Sequence, residues 1–293
     1  MSRAPDALLR ESLESGRIHS AYLLAGPGAE PRRAALAFVR GLVCRGPGAR
    51  PCERCADCRR SAERGEIVAL DGAGRNGPLL RHVGDHPDLV WVERGAEDTR
   101  VRIGQIRALQ AALRLRSHEG GWRGAVVADA EWLNQEAQNA LLRLLEEPPQ
   151  RTALVLVTAS ASGLLATVRS RCQRVTWPPR RPGAALDEGA REQVERLEAL
   201  ERTGVPELLD WAEEFRGARA EAAAGVEQLL ETASAWLHAR ATAGARAGRS
   251  DLRPLLEAFA TLAGCRKALA QRNANPQMVA ERALLALREA AWR

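Results

Sequence analysis

Short apolar runs of four or five residues alternate with amphipathic stretches from the start of the chain to about Trp177. Runs of this length, bounded by turn residues, are typical of parallel strands that helices cover on both faces. The predicted strands are 22–25, 89–92, 125–128, 154–158 and 173–176. The pattern therefore predicts an α/β domain over residues 1–178.

Two helices are predicted between these strands. Apolar residues recur at helical spacing from Ile103 to Leu113, and a second series begins after Asn134, a residue suited to cap a helix. Pro148 and Pro149 end this second helix, because neither has an N–H for the hydrogen-bond ladder.

Past Trp177 the pattern changes. The segment Trp-Pro-Pro-Arg-Arg-Pro-Gly, which begins at that residue, is a stiff proline-rich linker, and no strand pattern follows it. From Ala190 onward apolar residues recur at helical spacing. We predict a linker over 179–190 and an all-α domain with its own core over 191–293.

The net charge is +6, and nearly all of the positively charged residues are arginines, since Lys267 is the only lysine. Arginine suits phosphate oxygens, but the same bias is typical of a GC-rich genome, which the abundant Ala and Gly also indicate. Because the arginines are scattered along the chain, the charge alone assigns no nucleic-acid surface.

The amino-terminal residues lack the apolar core of a signal peptide, and no apolar run approaches the ~20 residues that cross a bilayer. The chain is therefore expected in the cytoplasm, with no membrane partner. In that reducing compartment, cysteines are thiols or metal ligands rather than disulfides. Cys172 and Cys265 stand alone and are expected in the core.

The other four cysteines are closely spaced. Cys52, Cys55 and Cys58 form C-x-x-C-x-x-C, and Cys44 lies eight positions before the first of them. Four thiolates in a short loop fit one tetrahedral Zn²⁺ and leave no open position for water, so this cofactor would be structural. An iron–sulfur cluster is the main alternative, although the proline-flanked fourth cysteine of a ferredoxin run is absent. Unrelated free thiols are the remaining interpretation.

After the first predicted strand, the chain has the form of a phosphate-binding loop, Gly26-Pro27-Gly28-Ala29-Glu30-Pro31-Arg32-Arg33. In a working loop, a lysine neutralises the β- and γ-phosphates and a Ser or Thr hydroxyl holds Mg²⁺. Arg32 and Arg33 stand at these two positions, and Pro31 has no N–H to offer phosphate. We expect the shape of the loop to survive and its cofactor-binding chemistry to be lost.

The predicted strand at 125–128 resembles a Walker B strand, because small or apolar residues precede a carboxylate, Asp129. In a motor, a glutamate follows this aspartate and positions the attacking water; here that position is Ala130. Asp129 could still bind a metal ion, but it lacks the lysine and hydroxyl that act with it. Both halves of the ATP site are degraded, so no intrinsic ATPase activity is expected.

The segment Arg169-Ser170-Arg171-Cys172 keeps a catalytic form. An arginine exposed at a strand edge can act in trans on a γ-phosphate that a neighbouring subunit holds. From the residue alone, a solvated arginine at a helix end is the plainer interpretation.

Together these residues closely resemble the delta-prime subunits of bacterial DNA polymerase III clamp loaders, which are AAA+ proteins. The resemblance covers most of residues 15–178. Its matching segments are 19–24 with the degenerate loop and the cysteine insert at about 44–58, then 86–89, 101–107, 139–149 and 170–172. The gamma/tau motor of the same complex shares the insert, the Leu-Leu-Glu-Glu-Pro-Pro helix end and Ser-Arg-Cys. It keeps the lysine and threonine of its phosphate loop.

The resemblance implies a P-loop NTPase-like parallel sheet domain with a zinc-binding insert, followed by an all-α collar domain that holds a five-subunit ring together. The implied partners are gamma/tau motor subunits and a delta subunit and, through the complex, the sliding clamp and primer–template DNA. The delta-prime member does not hydrolyse ATP. The arginine of its Ser-Arg-Cys motif, here Arg171, reaches the ATP of the adjacent motor.

Family members carry a three-helix lid before the collar, but few residues follow Trp177 before the helical pattern begins. The lid is therefore expected to be reduced to 179–190.

Two other functions compete with the delta-prime role. An ATP-hydrolysing gamma/tau-type motor conflicts with Arg32 and Arg33. A zinc-dependent nucleic-acid-binding module conflicts with the lack of a recognition helix or aromatic platform beside the cysteines.

Overall fold

The structure, a computed structural model, describes residues 4–64, 67–70, 77–95, 98, 100–178, 188–248, 251–271 and 274–292 of the 293-residue chain. The chain divides into two compact units, Met1–Pro178 and Pro179–Arg293. Most of the segment predicted as a linker or reduced lid, residues 179–187, lies outside the described residues. The first helix after it begins at Glu188.

The first unit is built on a six-stranded sheet. Its strands are β1 Ala21–Ala25, β2 Arg81–Val83, β3 His86–Val92, β4 Arg123–Val127, β5 Thr152–Thr158 and β6 Gln173–Thr176. They lie in the order β2-β3-β4-β5-β1-β6, and every pair is parallel except β2 with β3. All five predicted strands are present, which confirms the α/β class, whereas β2 was not predicted.

The helices of this unit are α1 Pro5–Ser15, α2 Glu30–Val43, α3 Ala56–Arg60, α4 Ile103–Arg114, α5 Gln135–Glu146 and α6 Ala166–Arg169. Helix α1 packs on α2, which crosses β4, β5 and β1, while α4 packs on β3 and α5. The side chain of Asn134 accepts the Ala137 N–H at 2.8 Å and caps α5, as predicted.

The sheet is buried on both faces. Every side chain of β1, β4 and β5 is buried, and successive strand residues point to opposite faces. On one face Tyr22 and Trp91 join the core formed with α1 and α2, and Tyr22 meets Phe38 edge-on with 4.8 Å between ring centroids. Because β1, β3 and β4 are parallel, the loops that follow them meet at one edge of the sheet.

The second unit is helical in the residues that the structure describes, as predicted. Its helices are α7 Glu188–Glu198, α8 Val205–Glu213, α9 Arg219–Arg246, α10 Arg253–Gln271 and α11 Pro276–Trp292. Helix α10 packs against α9 and α11, and α8 packs against α11. Leu230 and Leu284 are fully buried in its core. No helix in the described ranges combines the length and the apolar character that a membrane span needs.

Two leucines among the recurring apolar residues of this unit face solvent. Leu209 is 39% exposed and Leu256 is 63% exposed. On α10 the buried stripe runs through Leu255, Ala258 and Leu262. Leu256 lies one residue from the start of that stripe, about 100° around the helix, and therefore points away from the core.

Candidate functional site

The four clustered cysteines come together in the loop after α2 and in α3: Cys44, Cys52, Cys55 and Cys58. Their Sγ atoms all lie within 4.8 Å of one another, and those of Cys52 and Cys58 are 3.9 Å apart. Sulfur atoms around a tetrahedral Zn²⁺ with ~2.3 Å bonds are ~3.8 Å apart. The cluster can therefore hold one metal ion of this size.

Backbone N–H groups point at these sulfurs. Those of Cys52, Cys55 and Cys58 each donate to the Sγ of the preceding cysteine of the cluster at 3.4 Å. Burial opposes the thiolate of Cys55, but N–H donors from Cys58 and Arg45 outweigh it and lower its pKa to about 6. Burial raises the pKa of Cys58 to about 12. Ligating thiols are deprotonated, so metal binding here would release the Cys58 proton.

Buried polar contacts tie the cysteine loop to the sheet. Asp57, in α3, pairs with Arg60 at 2.8 Å and Arg45 at 3.4 Å, and its carboxylate lies 3.5 Å from buried His86 at the start of β3. Burial alone would raise the pKa of Asp57, but the two arginines outweigh it and hold that pKa below its ordinary value. Burial lowers the pKa of His86, and its Nε2 has no hydrogen-bond partner among the described residues, so His86 does not pair with Asp57. The tie to the sheet is the Arg60 carbonyl, which accepts the Asp85 N–H at 2.8 Å in the turn between β2 and β3.

The loop from Gly26 to Ala29 leads from β1 directly into α2. Gly26 approaches Trp177 so closely that a Cβ would lie 2.6 Å from the Trp177 Cβ, and Gly28 has a φ of +75°. Pro31 lies in the first turn of α2, where a missing N–H removes no helical hydrogen bond. The strand, loop and helix thus have the form of a phosphate loop.

The guanidinium of Arg32 lies in a polar cluster of the chain itself. Its Nη2 donates to Oε2 of Glu93, and its Nη1 lies 3.9 Å from Oδ1 of Asp129. The guanidinium also lies over Trp91, 5.0 Å from the ring centroid. Glu93 accepts two more hydrogen bonds, from the Trp91 indole at 2.8 Å and from Arg81 at 3.4 Å. The side chain at the lysine position therefore pairs with Glu93 and approaches Asp129.

The residues after β4 take a tight turn. Asp129 has a φ of +56°, and its Oδ2 accepts the Arg94 N–H at 3.2 Å. Ala130, at the place of the water-positioning glutamate of a motor, is fully buried. The next carboxylate along the chain, Glu131, accepts the Ala159 N–H at 3.0 Å after β5. That carboxylate is therefore bound to the backbone.

Arg171 lies in the turn between α6 and the edge strand β6. Its Nη1 donates to the Thr167 carbonyl at 2.9 Å, and its Nη2 lies 2.8 Å from Oε1 of Glu146, the last residue of α5. Its side chain is 37% exposed. Cys172 is half-buried, and burial raises its thiol pKa to about 12. The turn thus holds the guanidinium at the surface.

The sequence reasoning missed three residues of these sites, Asp57, Glu93 and Glu146. Glu93 directly follows a predicted strand, and its place at the carboxyl edge of a parallel sheet, beside the phosphate loop, was a usable signal. Glu146 offered no comparable signal, because its partner Arg171 belongs to another element of the fold. Asp57 and Arg60 are three positions apart, a spacing that suits an ion pair along one helix, and this spacing was the usable signal for Asp57.

The family model described as DNA polymerase III, delta subunit, matches residues 3–69 and 78–181. The DNA polymerase III subunit delta' of Bacillus subtilis is 31% identical over 221 residues, which are 73% of this chain and 60% of the relative. That of Pseudomonas aeruginosa is 32% identical over 186 residues, 61% of this chain and 51% of the relative. The gamma/tau subunit of Mycobacterium tuberculosis is 31% identical over 189 residues, 61% of this chain and 28% of the relative.

The chain spans between 28% and 60% of the length of these relatives. The family model covers more than half of the chain, and its two matched stretches include the phosphate loop, the cysteine insert and the Ser-Arg-Cys turn. The resemblance to delta-prime subunits is confirmed, and the chain belongs to the family DNA polymerase III, delta subunit.

Proposed function

We propose that this chain is the non-hydrolysing, delta-prime-type subunit of a DNA polymerase III clamp loader, and that Arg171 completes the ATP site of a neighbouring gamma/tau motor. The relatives include both delta-prime and gamma/tau subunits at 31% identity, so identity alone does not separate the two roles. The observation that carries the proposal is the pairing of Arg32, at the lysine position of the phosphate loop, with Glu93, which directly follows β3.

This pairing opposes nucleotide chemistry. A phosphate loop needs a cation free for the phosphates and a carboxylate free for Mg²⁺. Displacing Arg32 would leave Glu93, which is 13% exposed, with Arg81 at 3.4 Å as its remaining partner charge, and breaking such a part-buried pair is unfavourable. Arg33 is exposed, pairs with Glu30 at 3.4 Å and offers no oxygen ligand to Mg²⁺.

We expect the isolated protein to release no phosphate from Mg·ATP above the rate of buffer alone, because lysine, hydroxyl and water-positioning glutamate are all absent. Steady-state phosphate release at saturating ATP measures this. Asp129→Ala is the control and should give the same background. A turnover typical of a motor that disappears in Asp129→Ala would instead favour the alternative, an ATP-hydrolysing gamma/tau-type subunit.

The Glu93 cluster should also contribute to stability. Glu93→Ala leaves Arg81, which is 8% exposed, with Glu63 as its remaining carboxylate at 2.7 Å. We expect a loss of roughly 2 kcal/mol in the free energy of unfolding, below the ~3–5 kcal/mol of a fully buried pair. Arg33→Ala, on the exposed side of the loop, should cost less than ~0.5 kcal/mol. Urea denaturation of both variants tests this difference, and equal losses would contradict the role given to Glu93.

The cysteine cluster fits a structural Zn²⁺ held by Cys44, Cys52, Cys55 and Cys58. With all four positions occupied by sulfur, no position remains for a reacting water. Sulfur ligands suit iron as well as zinc, and elemental analysis distinguishes the two. The Asp85 N–H, in the turn between β2 and β3, donates to the Arg60 carbonyl of α3 at 2.8 Å, which favours an insert of the first unit over a stand-alone nucleic-acid-binding module.

The second unit is proposed as the collar through which the chain joins gamma/tau and delta subunits. The all-α architecture of its described residues supports this, because the resemblance implies an all-α collar. The sliding clamp and primer–template DNA would be reached through the assembled complex. Co-purification of the native chain with gamma/tau and delta subunits tests this assignment.

A further inference from the structure

We infer that Glu146 is a positioning residue for Arg171. Its carboxylate holds the guanidinium of Arg171 in one orientation at the protein surface. This inference rests on the proposed role of Arg171 in trans. It concerns a contact between the end of α5 and the turn after α6, two elements that are far apart along the chain.

The guanidinium of Arg171 is held at both of its Nη atoms. Thr167 accepts from Nη1 at 2.9 Å, and Oε1 of Glu146 lies 2.8 Å from Nη2. A guanidinium carries five N–H donors in one plane. Two contacts fix the orientation of that plane and leave the other donors for an oxygen-rich anion such as a γ-phosphate. Within the described ranges, no further partner of this guanidinium is present.

The two helices that supply these contacts are joined to each other. Gln138 of α5 is 1% exposed, donates to the Leu133 carbonyl at 3.0 Å and accepts the Leu165 N–H at 2.7 Å. Leu165 is the residue that precedes α6. Helix α5 is continuous from Gln138 to Glu146. The Glu146 carboxylate is therefore held at a fixed position relative to the turn after α6.

The contact is suited to orientation rather than to stability. The side chain of Glu146 is 51% exposed and that of Arg171 is 37% exposed, and ion pairs this exposed contribute little to folding. A free arginine side chain samples many rotamers, and it loses that freedom when it binds phosphate. When Glu146 already holds the guanidinium, less side-chain freedom is lost on binding phosphate. Substituting Glu146 should therefore lower the rate of ATP hydrolysis and leave the melting temperature unchanged.

The geometry requires a hydrogen-bond acceptor at the end of residue 146 more than it requires a negative charge. Arginine stays charged with or without a carboxylate beside it. Glu146→Gln keeps an oxygen at the Oε1 position and should retain most of the activity. Glu146→Ala removes the contact and should not.

The test uses the full chain reconstituted with its gamma/tau and delta subunits, the sliding clamp and primed DNA, and measures DNA-stimulated ATP hydrolysis. Glu146→Ala should lower the Arg171-dependent part of the rate roughly three- to tenfold. Glu146→Gln should restore at least half of it. Glu147→Ala, at the exposed neighbouring position, is the matched control and should behave as wild type. Melting temperatures of all three variants should match the wild type.

A double variant separates the possible failures. In an Arg171→Ala background, Glu146→Ala should cause no further loss, because both act through one group. Should Arg171→Ala itself behave as wild type, the proposed role in trans is wrong and this inference falls with it. A defect in Arg171→Ala with wild-type behaviour of Glu146→Ala overturns the positioning role alone. So does an additive loss in the double variant, or a Gln variant as impaired as the Ala variant.

Discussion

Arg171→Ala is expected to leave folding and assembly intact and to slow the DNA-stimulated ATPase of the reconstituted complex. Charge develops on the phosphoryl oxygens during transfer, and an arginine supplied from a neighbour accelerates this step by ~10³–10⁵. The single ATP site that this chain would complete should lose roughly that factor. The whole complex should show a partial loss, because its other ATP sites do not depend on this chain. Phosphate release and clamp loading measure the two consequences.

The control for this substitution is Arg174→Ala. Arg174 is also an exposed arginine and lies on β6, three residues further along the chain. Arg169 is less suitable, because its Nε is buried and its truncation would disturb the packing beneath the turn. Wild-type rates for both Arg171→Ala and Arg174→Ala would identify Arg171 as a solvated arginine with no role in trans.

Cys58→Ser is expected to cause the largest loss of stability of any substitution proposed. Cys58 is fully buried, and its thiolate is one of four ligands that together would hold the metal ion. A structural Zn²⁺ contributes ~10–16 kcal/mol to the folding of small zinc peptides. The hydrophobic core between the sheet, α1 and α2 does not include these cysteines, so we expect a smaller loss of roughly 3–5 kcal/mol in the first unit. Thermal unfolding followed by circular dichroism measures this loss.

The metal content of each variant shows whether the stability loss of Cys58→Ser comes from loss of the metal ion. Elemental analysis should find about one Zn²⁺ per wild-type chain and little in Cys58→Ser. Cys265→Ser is the control, since Cys265 is a buried cysteine of the second unit outside the cluster. It should keep the metal and cost about 1 kcal/mol. Iron in the wild-type protein, or no metal after gentle purification, would contradict the zinc assignment.

The strands show how much of the fold the sequence can predict. β1, β4 and β5 are buried on both faces, and double burial produces the continuous apolar runs from which they were predicted. β2 has only one apolar residue in three, and its buried Arg81 is paired with carboxylates rather than with apolar neighbours. The pattern of apolar residues cannot predict such a strand. The Gly-Asp turn after it, with Gly84 at a φ of +54°, was the available hairpin signal.

The candidate sites likewise combine local features, which the sequence predicts, with contacts between distant elements, which depend on the fold. The cysteine ligands lie within one short segment, so their spacing was enough to predict a cluster. The loss of the phosphate-loop lysine was also local. The place of Glu93 after a predicted strand indicated the edge of the sheet at which it lies, but its pairing with Arg32, 61 residues away, depends on the order of the strands. The contact between Glu146 and Arg171 likewise depends on how α5 and α6 pack.

The two edges of the sheet have a consequence for the unassembled chain. One edge strand, β6, has four residues, exposes Arg174 and Thr176, and is soon followed by Pro178. The other, β2, has three residues and carries Arg81. Short edges that bear charge are poor templates for recruiting a strand from a second molecule. A chain that has not yet found its partners is therefore expected not to form fibres through the edges of its sheet.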